Sequence, residues 1–309
     1  MQNFKIRFHS GVGDCFRLLS EQPSIDLYNK KYGLKIHWVY DNYSINEYNN
    51  LNFKSDLKPP FILYDIFKNV DFLKLVSQEE WNDLDCVELS NWHNNQYASW
   101  QPEKQLRGIF PNQEHQGFSI PLIEVEKMQL ASILKDTDIF ITVQISGKGE
   151  GKTYSTKKYV ELFKSILQKY PTAKIFLVDY PTYTVNPSLL IDDRIVNLVG
   201  KISRAQEINL IQKADWHICP DSYSKYIRNW VSGKQTILCS SVSWMTDTEL
   251  LRECFGRADI AYTAGLVYNP NVKILGAQYK ENLQDVKMVD SIQKILPEEI
   301  FDSIDINKK

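Results

Sequence analysis

The chain has 309 residues, 43% of them hydrophobic and 24% charged, with a formal net charge of -2 from 36 basic and 38 acidic side chains. That length favours two domains, and the composition is globular rather than disordered. The balanced charge gives no sign of a general nucleic-acid or membrane-surface binder.

No apolar run reaches the roughly 20 residues of a membrane helix. The N-terminal MQNFKIRFHSGVGD lacks the apolar core of a signal peptide. The cysteines (Cys15, Cys86, Cys219, Cys239, Cys254) are odd in number, widely spaced and without a CxxC pair. A reduced, cytoplasmic protein fits that usage better than a disulfide scaffold or a zinc site. Cys219 and Cys239 lie in apolar runs and read as buried, inert thiols.

In chain order, KIRFHS (5–10) reads as an opening strand and GVGD (11–14) as a turn into a helix over 15–21. Further strands are expected at 34–40, 60–67 and 85–91. Residues 92–121 form a long polar and aromatic segment, with Trp92, Tyr97, Trp100 and Phe110 available to stack a sugar or a flipped base. A helix follows over 124–135, and Lys135-Asp136 is the expected linker. The two α/β domains would then span 1–135 and 136–309.

The second half has a clearer rhythm. Strands are expected at 138–146, 173–179, 195–200, 215–221 and 235–240, with helices near 155–170, 203–214, 222–232 and 246–254. Tyr159, Leu162, Phe163, Ile166 and Leu167 share one face of the first of these helices, and Ser203 is a natural N-cap for the second. Near-continuous apolar strands alternating with helices predict a parallel sheet covered on both faces. A last helix is expected at about 285–296, packing near the junction of the domains.

Three polar clusters fall at strand ends. Gly11, Gly13 and Asp14 follow the first strand. Glycines there let a backbone approach a ligand, and Asp14 is either a helix cap or a general base for an attacking hydroxyl. Ser146 to Thr153 (SGKGEGKT) ends like a P-loop, but three residues rather than four separate Gly147 from Gly151. The looser reading is a glycine-rich loop that brings Lys148 and Lys152 to a phosphate; the plainer one is a solvated basic loop. Asp221, Ser222 and Tyr223 close the run from Gly200 to Ser222, GKISRAQEINLIQKADWHICPDS, and open the next helix. They are either an ordinary Asp/Ser cap or a phosphate corner at a helix N-terminus. The five histidines form no metal pattern; His9, His37 and His217 lie in strand-like runs and read as core residues.

Taken in order, these segments resemble glycosyltransferase family 9, the ADP-heptose:lipopolysaccharide heptosyltransferases, which have the GT-B fold of two Rossmann-like domains facing across a cleft. GVGD resembles the family's N-terminal Gly-Asp signature. Lys152 and the residues to Leu162 resemble its Lys-x-Trp-Pro segment. Gly200 to Ser222 resembles its Gly-Lys-x-Ser, helix, Ala, strand, Asp-(Ser/Thr) stretch.

The resemblance implies an inverting, metal-independent glycosyltransferase using a nucleotide-diphosphate sugar as co-substrate and no resident cofactor. It makes Asp14 the acceptor-activating base. Lys152, Asp221, Ser222 and Tyr223 would line the donor site, with Ile202 near the nucleotide base. The acceptor would be the hydroxyl of a bacterial surface glycan or lipid-linked sugar, which suits a cytoplasmic enzyme working at the inner membrane. A hydroxymethylated base in DNA is the alternative acceptor. Other readings of the chain are a GT-B epimerase and an inactive nucleotide-sugar-binding protein. Tyr223 and Tyr226 stand where the family has Gly and His, and Asp179-Tyr180-Pro181 replaces its Gly-Gly. A tyrosine at 223 fills space that the family leaves to the donor.

Overall fold

The computed structural model describes residues 4–8, 36–40, 73–76, 87–88, 122–147, 152–180, 183–229, 234–239, 271–279 and 286–306. The chain divides into two compact units, Met1–Pro121 and Leu122–Lys309. The helix α1 (Glu124–Ile133) therefore counts with the second unit, ahead of the Lys135-Asp136 step expected as the linker.

The first unit contains a parallel sheet of β1 (Phe4–Phe8), β2 (Ile36–Tyr40), β3 (Leu73–Val76) and β4 (Val87–Glu88), in the order β3-β2-β1-β4. The third strand was not expected from the sequence. The expected strand 60–67 and helix 15–21 lie outside the described residues.

The second unit is built on six parallel strands: β5 (Ile139–Gln144), β6 (Ala173–Val178), β7 (Ile195–Asn197), β8 (Trp216–Pro220), β9 (Gln235–Leu238) and β10 (Val272–Leu275). Their order is β10-β9-β8-β5-β6-β7. This is the strand order of a doubly wound Rossmann sheet. The chain runs outward from β5 through β6 to β7, then returns to the other side of β5 and runs outward again. The strands are apolar because helices and loops cover both faces; Ile141, Val143, Ile175, Leu177 and Ile218 are wholly buried.

Helix α2 (Thr156–Lys169) links β5 to β6 and buries the five residues that share its apolar face, Tyr159, Leu162, Phe163, Ile166 and Leu167. At about 1.5–3 kcal/mol for each fully buried side chain, that face is the main reason the helix forms. Helix α3 (Arg204–Lys213) starts with a capping box: Ser203 Oγ accepts from Gln206 N at 3.1 Å, and Ser203 N donates to Gln206 Oε1 at 2.8 Å. Its first turn is held to α1 by Ser203 to Glu126 at 2.6 Å and Gln206 to Gln129 at 2.7 Å. Helix α4 (Ser224–Asn229) is short, and the expected helix near 246–254 lies outside the described residues.

The C-terminal segment departs from expectation. A small antiparallel pair, β11 (Ala277–Tyr279) and β12 (Val286–Met288), is followed by a single turn of 3-10 helix at Ile292–Lys294. The last helix, α5 (Pro297–Ser303), begins where a single helix over 285–296 was expected to have ended. Proline fits the first turn of a helix, where its missing N–H is not needed, so Pro297 starts α5. The helix packs on α2, with Ile300 and Ile304 buried in the same core. Tyr154 Oη reaches Ile295 O at 2.7 Å and fastens the preceding turn. No helix among the described residues is long and apolar enough to cross a membrane.

Candidate functional site

In open α/β sheets, ligands bind beyond the carboxyl ends of the two strands where the winding reverses. Here those strands are β5 and β8, paired through Ile141–Trp216, Thr142–His217 and Val143–Ile218. The segments leaving them, Ile145–Gly147 and Asp221–Tyr223, carry two of the three clusters singled out in the sequence.

Lys152 and Asp221 meet at this edge. Lys152 Nζ donates to Asp221 O at 2.9 Å and lies 3.4 Å from Oδ2. Lys225 Nζ contacts the other carboxylate oxygen at 2.5 Å. Asp221 is buried. Burial raises its carboxyl, but Lys225 and Lys152 together bring it down to about 2. Its two oxygens are thus committed to two ammonium groups. Asp221 holds the lysines in place rather than offering a free carboxylate.

The glycine-rich loop is fixed at its start. Ser146 N and Oγ both donate to Asp179 Oδ2, at 2.7 and 2.9 Å, and Tyr180 N donates to Oδ1 at 2.7 Å. Asp179 is therefore the latch between the ends of β5 and β6. Burial pushes its carboxyl up to about 6, opposed by those three hydrogen bonds. Lys148, with residues 149–151, lies outside the described residues, as do Gly11, Gly13, Asp14 and the side chain of Tyr226. The aromatic segment 92–118 lies outside them too.

Ser222 is half-buried beside Asp221, and its Oγ accepts from Gln144 Nε2 at 2.9 Å. Gln144, the last residue of β5, went unremarked in the sequence, where it reads as a polar interruption of an apolar strand. Gln144 also bonds Ser146 O at 2.6 Å and Ser224 Oγ at 2.5 Å. Beneath it His217 bridges Ser224 and Thr142, at 2.8 and 2.9 Å. Burial, with Arg228 nearby, lowers the His217 imidazole to about 3, so it is neutral at ordinary pH. The expectation of a satisfied core histidine holds. So does that of buried thiols: Cys219 and Cys239 are both buried and free.

Tyr223 points into a different cluster. Its hydroxyl accepts from Arg204 Nη1 at 2.5 Å and donates to Glu207, while Arg204 Nη1 also reaches Glu207 at 2.6 Å. All three are buried. The Tyr223 ring meets Tyr180 edge-on at 5.3 Å, and the Arg204 guanidinium lies over both rings, at 4.9 and 5.4 Å. Burial disfavours the guanidinium charge, but Glu207, Tyr223 and Tyr180 together outweigh it and hold Arg204 above its usual range. Tyr180 follows β6 and Tyr223 follows β8, so the pair spans the end of β5, which lies between them. The space at position 223 is filled and braced. Ile202 is half-buried in the turn between Gly200, at φ +70°, and Ser203.

Two Asp-x-Asp triplets occur in the sequence, Asp83-Leu84-Asp85 and Asp136-Thr137-Asp138. The first lies outside the described residues. The second precedes β5, at the amino end of the sheet and opposite the site.

Whole-structure comparison brings the chain close to proteins of one kind. It is similar to the glycosyl transferase family 9 from Veillonella parvula DSM 2008, with a TM-score of 0.64 at 12% identity over 98% of this chain and 96% of that one. It is similar to Escherichia coli ADP-heptose lps heptosyltransferase II, with a TM-score of 0.56 at 12% identity over 98% and 97%. E. coli heptosyltransferase WaaC with ADP-2-deoxy-2-fluoro heptose gives 0.50 at 10% identity over 97% and 98%. No protein-family model and no curated protein matches the sequence. The likeness is one of fold: the chain has the GT-B fold that its sequence resemblance implied.

Proposed function

We propose that the protein is a glycosyltransferase that moves a sugar from a nucleotide-diphosphate donor to an acceptor hydroxyl. The observation that carries this reading is the meeting of Lys152, Asp221 and Ser222 at the carboxyl ends of β5 and β8, where the winding of the sheet reverses. The fold is that of the E. coli heptosyltransferases, one of them with an ADP-sugar analogue.

The chemistry asked of this edge is to accept negative charge. As the bond from sugar to diphosphate breaks, charge builds on the leaving phosphate. A preorganised ammonium group and a hydroxyl donor stabilise it without moving. Lys152 supplies the charge, with its side chain largely covered and its head aimed by the Asp221 carbonyl. Ser222 supplies the hydroxyl. Helix α4 has only six residues, so the side chains, rather than the helix dipole, carry this task.

Asp14 follows β1, the strand at which the first sheet also reverses its winding. It is the base we assign to the acceptor hydroxyl. Attack opposite the leaving group inverts the sugar, and Lys152 and Ser222 take the role a chelated metal plays elsewhere. The donor differs from ADP-heptose in sugar or base, because Tyr223 and its partners fill space beside Ser222. The acceptor class we assign is a glycan hydroxyl.

A thermal-shift screen against ADP, GDP, UDP, CDP and their sugars tests the donor reading. A ligand at a hundred times its Kd stabilises the native state by about 2.7 kcal/mol. A melting point unmoved by every nucleotide overturns the proposal. Binding of duplex DNA that weakens steeply with salt would move the acceptor from glycan to DNA.

A further inference from the structure

The hydrogen bonds beneath Ser222 have only one consistent direction. Gln144 lies 2.6 Å from the carbonyl oxygen of Ser146, and only its Nε2 can face an acceptor. Its Oε1 is therefore turned to Ser224, whose hydroxyl must donate to it. A hydroxyl has a single hydrogen, so toward His217 Ser224 can only accept. His217 then carries its proton on Nε2, and its bare Nδ1 accepts from Thr142 Oγ1 at 2.9 Å. The Cys219 thiol also meets Ser224 and stays protonated, pushed up to about 12 by burial. At the other end, the second hydrogen of Gln144 Nε2 goes to Ser222 Oγ. Ser222 is thereby an acceptor toward the protein, and its own hydrogen has no acceptor among the described residues.

We infer that Thr142, His217, Ser224 and Gln144 form a directional relay that turns the Ser222 hydroxyl hydrogen outward, toward the diphosphate of the donor. The inference deepens the donor reading above and rests on it. Gln144 and His217 are positioning residues that act through Ser222. The relay is rigid because His217, Thr142, Gln144 and Ser224 have no solvent exposure. The carbonyl of Ser146 fixes its sense, and that residue is itself latched by Asp179. A carboxylate in place of the Gln144 amide would reverse it. Ser222 would then donate inward and present lone pairs to an anion.

Two measurements test this. Selective 15N labelling of histidine in the wild-type protein reads the tautomer directly. At pH 7 one buried imidazole, identified as the signal missing from His217→Gln, should be neutral with its proton on Nε2. A cationic ring, or a proton on Nδ1, overturns the relay whatever the ligand.

The second is calorimetry with the nucleoside diphosphate that stabilises the wild type best. Ser222→Ala should weaken binding about tenfold, as expected for losing one hydrogen bond to a charged group. Gln144→Glu should weaken it at least as much. On the Ser222→Ala background, Gln144→Leu should add no further loss, since it acts only through that hydroxyl. Independent, additive losses overturn the relay while leaving the donor site standing. A wild type that binds no nucleoside diphosphate overturns both.

Discussion

Gly147 backs directly onto Lys152. A β carbon built on Gly147 would lie 2.9 Å from Lys152 Cβ and 3.2 Å from Cδ. The glycine is there because the lysine stem occupies the space a side chain would need, and the head of that lysine reaches Asp221. Gly147→Ala should therefore displace Lys152 without touching the Asp179 latch on Ser146. The expected result is a loss of nucleoside-diphosphate affinity of about the size seen for Lys152→Ala, tenfold or more. Calorimetry on the two variants checks it. Full affinity in Gly147→Ala would mean the stem can shift without cost to the head.

Acid stability should depend on two buried groups that work against each other. His217 is held neutral, with its titration lowered from 6.5 to about 3, so unfolding takes up a proton as pH falls through that window and stability drops. Asp179 is raised from 3.8 to about 6, so the folded form holds a proton the unfolded chain has released. Its contribution favours folding at low pH and is lost as pH rises toward 6. Between about pH 4 and 6 the two slopes oppose, each at most roughly 1.4 kcal/mol per pH unit. Asp179→Asn should remove the compensation. Melting curves of that variant should fall steeply from pH 6 to pH 4, whereas the two groups nearly cancel in the wild type. Identical pH profiles for the two proteins would exclude it.

The Arg204–Glu207–Tyr223 cluster should be among the more fragile parts of the second unit. Tyr223→Phe removes one hydroxyl and leaves the ion pair, at a cost of about 1–3 kcal/mol. Glu207→Leu leaves a buried guanidinium whose Nη2 has no hydrogen-bond partner among the described residues, and should cost about 3–5 kcal/mol. Urea unfolding followed by tryptophan fluorescence separates the two. Equal losses would show that packing, not charge, holds the cluster.

Helix α5 should matter for stability rather than for binding. Ile300 is wholly buried between α5 and α2. Ile300→Ala should cost about 2–5 kcal/mol, depending on how far the core closes over the gap. Nucleotide affinity should be unchanged at temperatures where the variant is folded. A stability loss below 1 kcal/mol, or a fall in affinity without one, would contradict that placement.

The sequence disclosed what depends on nearest neighbours along the chain. The apolar stripe of α2 and the Ser203 cap of α3 are periodic or local signals, and the structure has both. The short strands β3 and β10 escaped because four apolar-leaning residues, such as VKIL, do not separate strand from helix. The C-terminal segment was misread for a related reason: apolar residues from Val286 to Ile295 imitate a helical stripe, while their pairing is set by residues 277–279. Lys152, Asp221 and Ser222 were legible as residues. What they do to one another was not, because the groups that orient them, Gln144 and Lys225, become partners only across the sheet and the turn. The filled space at Tyr223 was legible, but its brace, Arg204 with Glu207, was not.

The return of the chain to the far side of β5 should also delay the contacts made across that junction. Lys152 and Asp221 are 69 positions apart, and Gln144 and Ser222 are 78. The contacts of Lys152 with Asp221 and of Gln144 with Ser222 therefore wait for β8 to insert against β5, whereas the Ser146–Asp179 latch needs only β5 and β6. Closures of such long sequence separation are slow. A nascent chain that has emerged only through β7 has half of this sheet and lacks the Lys152–Asp221 and Gln144–Ser222 contacts. Recovery of nucleotide affinity should thus be a late event in refolding, trailing the helical signal of α2.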